Sequence, residues 1–219
     1  MLNPIQTLCR IGITSLLFIL ACNTAVVAAT QQQPESASNE LAAFADLLKS
    51  PANPVVTIST NKGDIVIELF EKEAPQSVRN FLYYVNSGYY TGTIFHRVIP
   101  DFMIQGGGFS ESLQKKSGLA ETIENEADNG LKNERGTLAM ARTQDPHSAT
   151  SQFFINAKDN DFLDFKAKNR SGWGYAVFGR VIQGMDIVEA IEASTTTTKS
   201  GHRDVPEQTV IMESVSQLR

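Results

Sequence analysis

The sequence predicts a mainly β domain, folded as a closed antiparallel barrel or as a sandwich. Short β-rich runs recur along the chain, among them "TIFHRVI", "GTLAMAR", "SQFFINA", "YAVFGRVI" and "QTVIMESVSQL". Gly- and Asn-rich turns separate them. Few segments have the 3.6-residue apolar period of a helix, and strands do not alternate regularly with helices as they do in a parallel sheet.

The N-terminus differs in kind from the rest. Arg10 precedes the apolar run "IGITSLLFILA" (11–21), and small residues ending in "AVVAA" follow it. That order is the pattern of a cleaved secretory signal peptide over 1–29, and the run is shorter than the roughly 20 residues a spanning helix needs. A periplasmic destination and no stable membrane span are therefore expected. Both cysteines, Cys9 and Cys22, fall inside this segment, so the mature chain would carry neither a disulfide nor a thiol nucleophile. Lipidation at Cys22 is the alternative end of export, although Leu20 fits a lipoprotein box poorly.

Residues 30–54 form a polar arm in which "LAAFADLLKS" places Leu41, Phe44, Leu47 and Leu48 on one helical face. A short helix and a disordered arm both fit this pattern. The remaining domain spans 55–219. It opens with "VVTISTNKGDIVIELF", two strands joined by a hairpin turn. In "APQSVRNFLYYVNSGYY", Pro75 suits a first helical turn, Val78, Phe81, Leu82 and Val85 give an apolar face, and Gly88 suits a C-terminal cap. "GMDIVEAIEA" predicts a second short helix, and "TTTTKSG" reads as a low-complexity loop.

Composition narrows the function. The 219 residues are 42% hydrophobic and 20% charged, which is ordinary for a globular protein. The net charge of −5 and the lack of any basic run beyond Lys115-Lys116 argue against a nucleic-acid partner. The three histidines, His96, His147 and His202, lie far apart with no H-E-x-x-H, and no G-x-S-x-G is present. Neither a catalytic metal nor a hydrolytic triad is therefore expected. The acids of "ENEADNGLKNE" do not follow EF-hand spacing, and His147 and His202 read as surface groups.

"TIFHRVIPDFMIQGGGF" (93–109) is the segment that needs explaining. If Thr93 to Ile99 is a strand, alternation puts Ile94, His96 and Val98 on one face and Phe95, Arg97 and Ile99 on the other. An arginine among apolar neighbours is either a rim residue lying along them or a fixed cation beside a greasy pocket that includes Phe102 and Met103. The three glycines suit a bulge or a close backbone approach better than a phosphate cradle.

"FHRVIPDFMIQGGGF" closely resembles a signature of the cyclophilin family of peptidyl-prolyl cis-trans isomerases. "GTLAMARTQDPHSATSQFFI" and "FLD…YAVFGRVIQGMDIV" resemble two more of its motifs, in the family's order. The likeness runs from Val55 to the C-terminus and is similar to the exported bacterial members. It implies a closed eight-stranded antiparallel barrel capped by two α-helices. It also implies rotation about X-Pro bonds, which needs no nucleophile, metal or cofactor because no bond is made or broken.

By the resemblance, Arg97 is catalytic and Gln105 is its polar companion. Phe102, Met103, Phe154 and Leu163 form the proline pocket, while Gln152 with the backbone of Ala141 and Arg142 forms the groove before it. His96 is structural. Three positions depart from patterns common in the family: Phe162 stands in place of a frequent tryptophan, Tyr175 of a histidine and Arg142 of an asparagine. Phe162 has no N–H to offer, so weak cyclosporin binding is expected. The expected partners are proline-containing peptides and unfolded exported proteins, bound by a monomer. A proline-reading binding module or holdase that uses the 30–54 arm is the alternative, but the retained Arg97 and Gln105 favour an enzyme.

Overall fold

The Asn61-Lys62 turn folds the chain back on itself, and the two runs beside it become β1 (Val55–Thr60) and β2 (Gly63–Leu69), paired from Val55↔Glu68 to Thr60↔Gly63. A computed structural model of the chain describes residues 41–219. The expected signal peptide and Cys22 lie outside the described residues, as does the arm before Leu41.

Six further strands complete the barrel: β3 (Thr93–Ile99), β4 (Met103–Ser110), β5 (Thr137–Met140), β6 (Phe153–Asn156), β7 (Val177–Gln183) and β10 (Ile211–Gln217). All pairings are antiparallel, in the closed order β1-β10-β3-β4-β6-β5-β7-β2. The barrel alternative is thus the one observed. Closure leaves no open edge, so every inward side chain meets others. Ile58, Ile67, Phe95, Ile104, Leu138, Phe153 and Phe178 are among those with no exposed surface. Two short strands, β8 (Thr196–Lys199) and β9 (His202–Pro206), form a separate hairpin that packs over β3. "TTTTKSG" is therefore largely a strand and its turn, not a loop. Ser200 and Gly201 both have positive φ, as a tight hairpin turn requires.

Helix α1 (Pro75–Asn86) begins on the predicted proline and buries Val78, Phe81, Tyr84 and Val85 in the core. Its first free N–H groups are taken by a distant carboxylate: Glu126 accepts from Gln76 N at 2.9 Å, Ser77 N at 2.8 Å and Ser77 Oγ at 2.7 Å. One acid of "ENEADNGLKNE", whose acids do not follow EF-hand spacing, therefore caps a helix. Helix α2 (Met185–Glu192) packs on β2, β3 and β4, burying Val188 and Ile191. No helix among the described residues is long and apolar enough to cross a membrane.

The segment just before β1 is packed against the barrel. Phe44 is buried with Val55 and Val66, and Leu41, Leu48, Ile182 and Leu218 pack around them. Beneath the segment, Glu68 is fully buried. Its Oε1 accepts from Lys49 N (2.8 Å), Ser50 N (3.1 Å) and Asn53 Nδ2 (2.8 Å), and its Oε2 accepts from Arg180 Nε (2.9 Å). A buried carboxylate is costly unless its lone pairs are occupied, and here four donors occupy them.

Candidate active site

Strict alternation fails on β3. Phe95 pairs with Gly106 and Arg97 with Gln105, so two steps on β3 oppose one on β4. The extra residue makes a bulge, which switches the face on which the following side chains stand. Phe95 and Val98 both enter the central core, whereas Ile99 belongs to the outer cluster with Met103 and Phe154. The expected grouping of Phe95 with Arg97 and Ile99 is thus corrected: the bulge separates Phe95 from the other two.

The register then builds a row across the sheet. Arg97 on β3 stands opposite Gln105 on β4, Gln105 opposite Phe154 on β6, Phe154 opposite Ala139 on β5, and Ala139 opposite Val177 on β7. Directly opposed residues share a face. A polar pair therefore runs straight into an apolar floor. Met103, Phe154 and Leu163 are almost wholly buried there, at 2%, 4% and 9% exposure.

Over that floor lies a cavity of about 150 Å³, lined by Arg97, Phe102, Met103, Gln105, Ala141, Arg142, Phe154, Leu163 and Tyr175. These are nine of the eleven site residues expected from the sequence. Gln152 stands just behind them, its Oε1 accepting from Gln105 Nε2 at 3.0 Å. Phe162 is at the rim, 59% exposed and stacked on Phe102 with ring centroids 5.6 Å apart. The turn after Pro100 presents Phe102, whose carbonyl accepts from Ala157 N (3.0 Å) and Asn160 Nδ2 (2.9 Å).

The glycines after Gln105 make room for neighbours. A Cβ on Gly106 would stand 2.6 Å from Met212 Cε, and one on Gly108 would stand 2.5 Å from Gln152 Cγ. Gly107 has φ +81° and is wedged against Tyr90 and the Ser151 carbonyl. Close approach therefore explains "GGG" at the point where β4 bulges away from β3.

The guanidinium of Arg97 is held loosely on two sides. Nη1 donates to Gln105 Oε1 at 3.4 Å, and Nε faces Asp204 Oδ2 on β9 at 3.7 Å. No local pattern marks Asp204, because the start of the hairpin that carries it reads as a low-complexity loop. His96 packs on Phe109, which in turn packs on His202. Burial, then the charge of His202, lowers the pKa of His96 to about 4, and its Nδ1 has no hydrogen-bond partner. His96 is therefore neutral near pH 7 and faces away from the cavity.

Two rim residues are fixed by stacking. Tyr175 meets Phe154 in a T-shaped contact at 5.6 Å and carries the Arg142 guanidinium 4.6 Å above its ring. Trp173 does not line the cavity. It packs with His147 and Phe165 in the loops beyond the rim.

Comparison with known proteins agrees with this architecture. Residues 55–217 match the family described as cyclophilin type peptidyl-prolyl cis-trans isomerase/CLD. The chain is 61% identical over 163 residues to peptidyl-prolyl cis-trans isomerase cyp18 of Streptomyces antibioticus, covering 74% of this chain and 98% of that protein. It is 57% identical over 162 residues to peptidyl-prolyl cis-trans isomerase B of Escherichia coli, again covering 74% and 98%. Among solved structures, a Cryptosporidium parvum cyclophilin type isomerase in the presence of the dipeptide Ala-Pro superposes with a TM-score of 0.61 at 31% identity. That match covers 74% of this chain and 97% of the other.

Proposed function

The chain belongs to the cyclophilin-type peptidyl-prolyl cis-trans isomerases and catalyses rotation about X-Pro peptide bonds, and on that premise we propose that Arg97 is the group acting on the reacting amide. The observation that carries this reading is the row in which a cation with free donors adjoins a small cavity with an apolar floor. A proline ring is apolar and compact, and suits a floor of Met103, Phe154 and Leu163 with Phe102 as a wall. The dipeptide present with the Cryptosporidium protein is of the same chemical kind.

The barrier to rotation, roughly 18–20 kcal/mol, comes from amide resonance. In the twisted transition state the prolyl nitrogen regains its lone pair and becomes a better hydrogen-bond acceptor. A guanidinium donor placed beside that nitrogen binds the twisted state better than either planar isomer, which is the condition for catalysis. Gln105 and Asp204 orient Arg97 from two sides, and Gln152 orients Gln105. The backbone at Ala141 and Arg142 receives the residues before proline. Arg97, Gln105 and the Phe154 of the floor belong to one row of a closed barrel, so the spacing of cation and floor is set before the substrate arrives.

The cellular reading is folding assistance to exported proteins by a periplasmic monomer, supported by the signal-peptide pattern of 1–29 and by the slowness of uncatalysed isomerisation. Phe162 supplies an exposed ring with no N–H at the rim, which supports weak cyclosporin binding. The test is the cis-to-trans rate of a short Ala-Pro peptide with the wild type and with Arg97→Ala. A loss of tenfold or more, which is ~1.4 kcal/mol or more, is expected. Equal rates would remove Arg97 from the mechanism.

A further inference from the structure

Beside the proline pocket lies a second, more open depression of about 930 Å³, bounded by Arg142, Gln144, Asn169 and Arg170, with Tyr175 standing between it and the pocket. Arg142 is fixed at the junction, Nε donating to the Gly174 carbonyl and Nη1 to the Thr143 carbonyl, each at 2.9 Å. Arg170 reaches in from the opposite loop and donates Nη2 to Gln144 Oε1 at 2.9 Å. Gln144 is two residues along from Arg142, and Arg142 and Tyr175 line both the groove and the proline pocket.

The charge here is unbalanced. Arg97, Arg135 and Arg180 each face a carboxylate. Arg142 and Arg170 donate only to neutral oxygens among the described residues. Lys168 nearby is already paired with Asp128 at 2.6 Å. Asp145 adjoins Arg170 in the next depression, and its Oδ1 accepts the backbone N–H of His147. Two planar forks therefore face one groove, and each keeps donors for a ligand. A guanidinium prefers a carboxylate, which can take two of its N–H groups at once.

We infer that this groove reads an acidic side chain, Asp or Glu, on the peptide substrate within a few residues of the isomerised proline. The inference rests on the isomerase reading, because the pocket that anchors the proline brings the flanking residues to the groove. Both arginines are partly solvated, so the effect is a modest preference among substrates and weakens with salt.

The test uses the full chain and a peptide set built on Ala-Ala-Ala-Pro-Ala. Glu, Gln or Lys replaces each alanine in turn, and both turnover and direct binding are read. Turnover of the Glu peptide about threefold or more above its Gln twin is expected for at least one position, with the Lys peptide lowest. Arg170→Gln brings Glu and Gln together while leaving turnover of the all-alanine peptide unchanged, and Arg170→Glu favours Lys. Equal rates for Glu and Gln at every position, or a preference undiminished in Arg170→Gln, overturn the inference. The binding arm separates this failure from failure of the enzyme reading: a Glu preference in binding with no turnover of any peptide would sustain the groove and sink the isomerase.

Discussion

Arg180 and Arg97 both face a carboxylate, yet the two pairs are built to opposite ends. At Arg180 the contacts are short: Nε meets Glu68 at 2.9 Å and Nη2 meets the Leu47 carbonyl at 2.6 Å, and Glu68 is fully buried with three further donors. At Arg97 they are long, 3.4 Å to Gln105 and 3.7 Å to Asp204, and the two charged side chains are 39% and 42% exposed. The first arginine spends its donors on the fold, tying residues before β1 to the barrel. The second is aimed by its neighbours but left under-bonded, so that a substrate atom can complete it. Short, buried contacts around a charge mark structure; long ones at the edge of a cavity with an apolar floor mark a site.

The contrast can be broken from either side. Arg180→Ala leaves Glu68 buried without its cation, and a stability loss of about 3 kcal/mol is expected in denaturant unfolding. Peptide turnover below the transition should stay at the wild-type level. A loss under half that size would mean that the backbone and Asn53 donors satisfy Glu68 alone.

His96, next to Arg97 in sequence, sharpens the comparison through pH. Its folded pKa of about 4 lies below the ordinary 6.5. The unfolded chain therefore binds the proton more readily, and folding must forgo it. The stability that neutral His96 contributes is complete above pH 6.5 and is lost as pH falls from there toward 4. The loss amounts to about 2–3 kcal/mol across that window. His96→Gln should flatten the difference in unfolding free energy between pH 7 and pH 4.5, measured against the wild type. Parallel pH curves for the two proteins would show that His96 does not titrate on unfolding.

The smallest expected effect is at Asp204. A solvated ion pair of this length contributes little energy, but it aims the guanidinium, so Asp204→Ala should lower kcat about two- to fivefold with KM and thermal stability unchanged. A KM change with constant kcat would place Asp204 in substrate binding instead.

Much of this was legible in the sequence, for reasons that differ by residue. The β1–β2 hairpin, α1 and α2 follow from local periods and from Pro75 and Gly88, which act within a turn or two of the chain. The pocket was legible through motif resemblance, and the contiguous glycines through the sterics they relieve. The grouping on β3 was misjudged because a bulge depends on the partner strand, which period-two reading does not see. Asp204 and Glu126 act across the fold, one on Arg97 and one on α1, and nothing in their neighbouring residues announces it. The four threonines looked like filler because an exposed hairpin needs no apolar alternation.

The most direct test measures peptide turnover and thermal unfolding side by side for Arg97→Ala and Arg180→Ala. The account predicts a crossover: Arg97→Ala loses tenfold or more of the cis-to-trans acceleration at an unchanged Tm, while Arg180→Ala keeps the acceleration and melts lower by about 4 °C or more. If Arg97→Ala retained its turnover, or lost it only together with its fold, Arg97 would be a structural cation like Arg180 and the proposed mechanism would be wrong.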